Sequence, residues 1–440
     1  MIKTLTSAFK NKDIRKKLLY TLMMLVVIRI GSLLPIPGVD TEYFSTLLSG
    51  FNSGDLSYLS AFTGGSFEKM SLFALSITPY ITSSIIMQLL TIAIPKLEEM
   101  QKEGEDGRKK IASITRYVTI ALALIESIAM AVGFGRQGII KDYQVMSTIH
   151  YVTCIIVVVA ALTAGSAVLM WIGERITEKG VGNGISIVLL INIISGMPSD
   201  FVTLYSTFVA NKSIARGVTV AVIIAAIVIA VVVLVVILQD GERRIPVQYS
   251  QKVAGRKTIG GQATNIPLKV NTAGVMPIIF ASSIMQFPVI IVQLFTSNSY
   301  EWTKYLSQSY WCRVQMPKYS IGLLLYIILV VVFAYFYTSI TFNPVQIADN
   351  LKKAGGVVPG ITPGRSTSEY LNKILNYIVF IGAVGLMIVA LIPIMCTGFF
   401  NASVSFGGTS IIIIVGVVLE TMKQIESMMV NRNYRGFLSE

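Results

Sequence analysis

From Gly217 to Leu238 the chain reads "GVTVAVIIAAIVIAVVVLVVIL" without one charged residue. As a helix, about 20 such residues cross about 30 Å of hydrocarbon. Nine further stretches carry the same signal at lower contrast, at 18–34, 70–95, 117–134, 150–172, 183–198, 273–295, 320–341, 374–397 and 408–430. The pattern predicts ten transmembrane helices. The opening "SAFKNKDIRKKLLYTLMM" sets a basic stretch before an apolar run, as a signal peptide does, but "LLPIPGVD" after it offers no small-x-small cleavage site. A retained first helix is expected.

One stretch breaks the alternation of span and polar connection. In "SAFTGGSFEKMSLF", Ser60 to Phe73, Gly64, Gly65, Ser66, Glu68 and Lys69 are too polar for a bilayer core. Ala61, Phe62, Met70, Leu72 and Phe73 are too apolar for a solvated loop.

Composition agrees with the spans: 53% hydrophobic, mean hydropathy +0.69 and 13% charged, where a soluble domain carries about 25% charged residues. Charge then gives orientation, because cytoplasmic connections hold the positive excess. With the N-terminus inside, 27 of the 36 Lys and Arg fall on cytoplasmic segments, eight fall outside, and Arg29 lies within the first helix. The net charge of +13 is mainly topogenic in this reading, and both termini are cytoplasmic. Two cytoplasmic loops, 239–272 and 341–373, exceed 30 residues, and loops longer than about 12–15 residues are uncommon without a task. "DGERRIPVQYSQKVAGRKTIGG" combines Arg243, Arg244, Lys252, Arg256 and Lys257 with Tyr249 and Pro246. Such a surface suits an RNA-bearing or acidic partner, or lipid headgroups.

The chain also repeats itself. "PYITSSIIMQ" from Pro79 matches "PIIFASSIMQ" from Pro277 at the proline and at Ile81/Ile279, Ser84/Ser282, Ile86/Ile284, Met87/Met285 and Gln88/Gln286. A glutamine inside a span is costly, so its recurrence is informative. An offset of five spans makes the copies cross in opposite directions, as in a channel or transporter built from inverted halves.

Enzymatic readings find little support. The single histidine, His150, cannot form an H-E-x-x-H site, and neither a G-x-S-x-G elbow nor a P-loop is present. Cys154, Cys312 and Cys396 are scattered, suiting neither a disulfide framework nor a metal cluster; buried filler is their expected role. No cofactor or metal is expected. For a gradient-driven transporter the candidate coupling groups are Arg29, Glu126 and Glu420, a thin set.

The motifs "RIGSLLPIPGVD", "PYITSSIIMQLL", "KEGEDGRKKIASITRY", "MWIGERITEKGVGNGISI", "ERRIPVQYSQK", "IPLKVNTAGVMPIIFASS", "FNPVQIADNLKKAGGVVPGITPG" and "FGGTSIIIIV" follow in order along nearly the whole chain. In them the sequence resembles the SecY family, the central channel subunits of the bacterial Sec translocase. The resemblance implies an all-α polytopic membrane protein with ten transmembrane helices in two inverted five-helix halves. These would be residues 1–198 and 217–440, closing like a clamshell about an outer hinge at 199–216, with an hourglass pore between them.

By the same resemblance, residues 60–71 are a plug, a short half-helix folded into the outer funnel, with Ala61, Phe62, Thr63, Gly64, Gly65, Ser66 and Phe67 at its centre. Ala61, Phe62 and Met70 would fill an apolar throat, and the glycine pair would ease exit. Ile77, Ile81, Leu189, Ile279 and Ile413 form the pore ring. Ser84, Ile85, Gln88, Ser282, Ser283 and Gln286 lie on the lateral gate, where polar side chains are candidates to hold it shut by modest hydrogen bonds. Arg243, Arg244, Lys252, Arg256, Lys257, Lys352, Lys353 and Arg365 meet the motor or ribosome. The family's loop tip reads P-G-I-R-P-G, whereas here Thr362 replaces the arginine and Arg365 follows three residues later. The implied function is a protein-conducting channel with no catalysis of its own, in a bacterial plasma membrane. The implied partners are SecE-like and SecG-like subunits, a SecA-like ATPase, the ribosome, signal peptides with unfolded preproteins, and lipid. A secondary transporter is the competing class.

Overall fold

The computed structural model describes residues 9–50, 63–135, 140, 147–208, 214–249, 252–254, 257–259, 264–295, 300–313, 316–400 and 408–436. Each of the ten expected spans is met by one helix: α1 (Lys12–Leu33), α3 (Thr78–Ala93), α5 (Glu105–Gly135), α6 (Thr148–Lys179), α7 (Gly184–Phe208), α8 (Ile214–Asp240), α9 (Met276–Phe295), α11 (Ile321–Thr341), α13 (Arg365–Phe400) and α14 (Gly408–Gly436). Shorter helices α2 (Thr41–Gly50), α4 (Pro95–Lys102), α10 (Glu301–Leu306) and α12 (Pro344–Lys353) connect them. Lipid-facing stripes are visible as exposed Leu19, Leu22, Met23, Val26, Ile30 and Leu33 on α1, spaced at three and four as one helical face requires. One apolar cluster joins α1, α3, α6, α7, α8, α9, α11, α13 and α14.

Span two differs from its expectation. Residues 70–77 are consecutive turns, and the helix begins only at Thr78, with Pro79 in its first turn. Proline suits that position because its missing N–H would have no partner there. Met70 (φ +41°) and Ser76 (φ +53°) sit in the left-handed region, which no helix continues through. The other end of span two stops at an extended Ile94 before Pro95, and the chain bends by 100° into α4.

The stretch expected to be the outer hinge connection, 199–216, is mostly helix among its described residues. α7 runs on through Pro198 to Phe208, and α8 starts at Ile214.

The two long loops meet in one sheet of order β4–β1–β5. β1 (Glu242–Tyr249) pairs antiparallel with β4 (Thr264–Lys269), with Ile245 opposite Ile266. The two-residue β5 (Gly356–Val357) of the other loop adds to β1 at Gln248 and Tyr249. Ile245, Val247 and Leu268 point inward onto Leu351 of α12 and onto Leu371 and Ile374 of α13. A hairpin of β2 (Lys252–Ala254) and β3 (Lys257–Ile259) extends from this platform. On the platform side, the α6–α7 connection is clasped by both ends of the chain: Val181 N–H donates to Thr21 Oγ1 (3.1 Å) and Gly182 N–H to Gln424 Oε1 (2.6 Å).

Candidate functional site: a funnel closed by aliphatic side chains

A cavity of about 450 Å³ opens beside the platform. Its upper wall is polar, with Lys269, Asn271, Gln239, Glu420 and Lys423; its far end is Ile81, Leu189, Ile279 and Ile413. Helix direction explains the gradient. α3 and α14 run toward the platform, so Ile81, Ser84 and Gln88, or Ile413, Val417, Glu420 and Lys423, pass from apolar to polar along one helical face. At 1.5 Å per residue, Ile413 to Lys423 spans about 15 Å of depth. α7 and α9 run the other way and bring Leu189 and Ile279 to the same level.

Ile77, at the N-cap of α3, is not in the cavity wall; it is buried in the same apolar cluster as the other four. Four of the five expected ring residues line the cavity end, and Ile77 lies one turn before Ile81, whose N–H donates to its carbonyl. Asp240 and Lys423, 2.6 Å apart, tie α8 to α14 at the rim.

The expected gate residues lie on two helices, Ser84, Ile85 and Gln88 on α3 and Ser282, Ser283 and Gln286 on α9. Ser84 and Gln88 face the cavity, while Ser282 and Gln286 are buried on α9. Ser282 Oγ accepts from Gln308 Nε2 (3.3 Å), in the cap that follows α10. Antiparallel helices cause this, since equal offsets from Ile81 and Ile279 lead to opposite sides of the ring. Ile85 is buried in the main cluster and Ser283 is half-buried. α3 is fastened instead to α5, through Ser83 Oγ and Thr119 Oγ1 at 2.5 Å. α9 packs on α11 and α5.

Of the expected plug, Ala61 and Phe62 lie outside the described residues. Thr63 is helical, and from Gly64 to Ile77 the chain is a string of turns interrupted by a bridge at Ser71. Gly64 (φ +63°) and Gly65 (φ +79°) adopt backbone that glycine tolerates best. Phe67 and Met70 do not fill the throat at the ring; they pack with Phe44, Ala123 and Phe134 in a separate cluster. The Phe67 ring stands edge-on to Phe44 (5.7 Å) and Phe134 (6.2 Å). Farther along, Phe73 joins the main cluster with Ile77. The segment also pairs with the chain after α1: Ile36 N–H donates to Met70 O and Leu72 N–H to Leu34 O.

Polar groups inside the bundle meet this segment; of these, only Arg29 is a candidate from sequence, as a coupling group. Arg29 Nη1 donates to Ser195 Oγ (2.9 Å) and lies 3.5 Å from Gly64 O. Asn192 Nδ2 donates to Ser76 Oγ (3.0 Å). The available signal was Asn192 and Ser195, polar at i and i+3 within an apolar span.

On the platform, Arg243 and Arg244 are exposed, with Arg244 paired to Glu242 (2.6 Å). Lys352 and Lys353 are exposed in the last turn of α12. Arg365 opens α13, exposed and paired with Glu369 at 3.0 Å. The Arg256 position and the Lys252 and Lys257 side chains lie outside the described residues. Glu420 lines the cavity and Glu126 is half-buried on α5. His150 is exposed, and among the described residues no His, Cys, Asp or Glu cluster could hold a metal. Cys154 and Cys312 are half-buried free thiols, more open than filler; the Cys396 side chain lies outside the described residues.

A family model described as SecY matches residues 71–422. The protein translocase subunit SecY of Streptomyces galbus is 42% identical over 453 residues, covering all of both chains. Two solved structures share the fold at 17% identity and a TM-score of 0.61. One is a SecY whose plug domain stabilises the closed state of the translocation channel and maintains a membrane seal, covering 94% of this chain and 92% of that one. The other is Sec61 in a canine ribosome–channel complex from the endoplasmic reticulum, covering 94% and 93%. A model match over most of the chain and a full-length relative at 42% identity establish that this chain belongs to the SecY family.

Proposed function

We propose that this chain is the protein-conducting subunit of a translocase, a channel and not an enzyme. It passes unfolded polypeptides through the funnel and releases transmembrane segments sideways into lipid. The observation that carries the reading is the funnel itself, polar at the platform and closed by Ile81, Leu189, Ile279 and Ile413. Aliphatic side chains offer no hydrogen bond that would select among passing sequences, and an apolar constriction disfavours a continuous water column. One constriction is then permissive for polypeptide and resistive to ions.

A nascent transmembrane helix leaves between α3 and α9, gaining about 25 cal/mol per Å² of apolar surface withdrawn from water. The segment around 60–71 acts as the seal. The halves are 1–198 and 217–440, and they flex about the joint between α7 and α8. The platform faces the cytosol of a bacterial cell, both termini with it, and the membrane is the plasma membrane. Exposed Arg243, Arg244, Lys352, Lys353 and Arg365 meet an acidic motor ATPase or ribosomal RNA, and the lipid-facing stripes leave room for small SecE-like and SecG-like helices.

Site-specific crosslinking tests the path. Photocrosslinkers at Leu189 and Ile413 should capture an arrested preprotein during ATP-driven import into vesicles, and one at lipid-facing Ile237 should not. Equal capture at Ile237 would sink the central-pore reading.

A further inference from the structure

Arg29 lies four residues from the end of α1, on a helix whose neighbours Val26, Val27 and Ile30 are exposed. Its guanidinium turns inward, and its partners are neutral oxygens: Ser195 Oγ at 2.9 Å and the Gly64 carbonyl at 3.5 Å. Ser195 Oγ stands 3.2 Å from that same carbonyl and 2.8 Å from Asn192 O. A cation within a span is expensive and is usually retained for function.

The contact is closely built. A Cβ at Gly64 would stand 2.6 Å from Ser195 Oγ and 2.7 Å from Asn192 O, so only glycine lets the turn press onto α7. One helical turn earlier, Asn192 holds Ser76 near the other end of the same turn-rich segment. Segment 63–77 is therefore tied to α7 at both ends, and Arg29 adds α1 at the end bordering residues 60–62. A guanidinium suits this point because its planar, fixed N–H groups can serve two acceptors at once.

We propose that Arg29 and Ser195 form a latch that holds Gly64, and with it the seal, in the closed channel, and that opening requires release of this latch. Arg29 is then a positioning residue for the seal. The inference rests on the reading of residues 60–71 as the seal.

The test measures resting ion conductance in planar bilayers, with the chain in its assembled complex, alongside export of a preprotein bearing a defective signal peptide. Arg29→Gln should raise both severalfold, Ser195→Ala should raise both less, and Arg29→Lys should fall between wild type and Arg29→Gln. The same substitutions are then made in a channel lacking residues 61–67. That deletion should leak by itself, and Arg29→Gln should add nothing to it, because Gly64 is gone.

Wild-type conductance for Arg29→Gln, with a leaking deletion, overturns the latch and leaves the seal standing. An equal fold-increase in both backgrounds also overturns it, since Arg29 would then act on something other than Gly64. A deletion that does not leak refutes the seal assignment and the latch with it. Should Arg29→Gln fail to accumulate, Ser195→Ala keeps the charge and carries the test: conductance equal to wild type overturns the proposal.

Discussion

Phe67 gives the sharpest measure of how firmly the segment before α3 is docked. It is 5% exposed, edge-on to Phe44 and Phe134, in a cluster of its own beside the main core. Truncating a buried phenylalanine costs about 3–5 kcal/mol, and two edge-on ring contacts account for about 1–3 kcal/mol of that. The loss falls on the docked state alone, since an undocked Phe67 keeps neither ring. At about 1.4 kcal/mol per factor of ten, Phe67→Ala should raise the undocked fraction roughly a hundredfold or more. Ser66 next to it provides the reporter: it is 1% exposed and its hydroxyl has no hydrogen-bond partner among the described residues, so Ser66→Cys disturbs little. With Cys154, Cys312 and Cys396 replaced by serine, a membrane-impermeant maleimide labels Cys at 66 only when the segment leaves its site. Its rate then tracks the docking equilibrium. Phe67→Ala should accelerate labelling about a hundredfold and Phe67→Leu less than about tenfold, since leucine keeps most of the apolar volume. A Phe67→Ala rate within threefold of the Phe67 parent would show that the aromatic trio does not hold the segment.

Ile81→Asn places an amide at the cavity end beside Leu189, Ile279 and Ile413; wetting there should relax discrimination between functional and defective signal peptides. An export assay that finds no gain for the defective substrate counts against the ring. Among the described residues Arg365 is held by an exposed pair with Glu369, a contact of little worth, so little opposes its recruitment. Arg365→Ala should weaken motor affinity and ATP-driven export at fixed salt, with Lys212→Ala on the expected outer side as control. If Arg365→Ala matches that control while Arg243→Ala is crippled, the guanidinium after Thr362 does not stand in for the family arginine. Replacing Asn343, whose side chain caps α12 through Val345 N–H and Gln346 N–H, should cost about 1 kcal/mol of local stability. Hydrogen exchange faster in α12 than in α11 would show it; uniform exchange would not.

The spans were legible because hydrocarbon demands long uninterrupted apolar runs, and nothing in water imitates Gly217 to Leu238. The inverted relation of α3 and α9 was legible too, through a proline, an isoleucine and a glutamine recurring at fixed offsets. What stayed hidden were apolar residues that are not helical. "MSLFALSI", Met70 to Ile77, has the composition of a span, yet Met70 and Ser76 take left-handed backbone and the run is buried by its neighbours. Hydrophobicity reports burial and leaves the means of burial open. The serines of the two helices differ in surroundings for a related reason: inversion sends equal offsets along α3 and α9 in opposite directions, so Ser84 lines the cavity and Ser282 is buried. The sheet could have been found. In "ERRIPVQY" and "TNIPLK", Ile245, Val247, Ile266 and Leu268 alternate as strands require, beneath a more conspicuous run of basic residues.

That sheet has a mechanical consequence. β1 follows α8 with only Gly241 between them, β4 leads to α9 through six residues, and β5 precedes α13. The first of those six is pinned: Val270 N–H donates to Gly241 O at 2.8 Å, and Val270 O is so close to Gly382 of α13 that a Cβ there would stand 2.4 Å away. There is little slack in such a linkage. A load on either loop is shared by both, and it runs down β4 into α9. The platform is thus a lever as well as a surface, and force applied to it reaches α9 through a connection with almost no play.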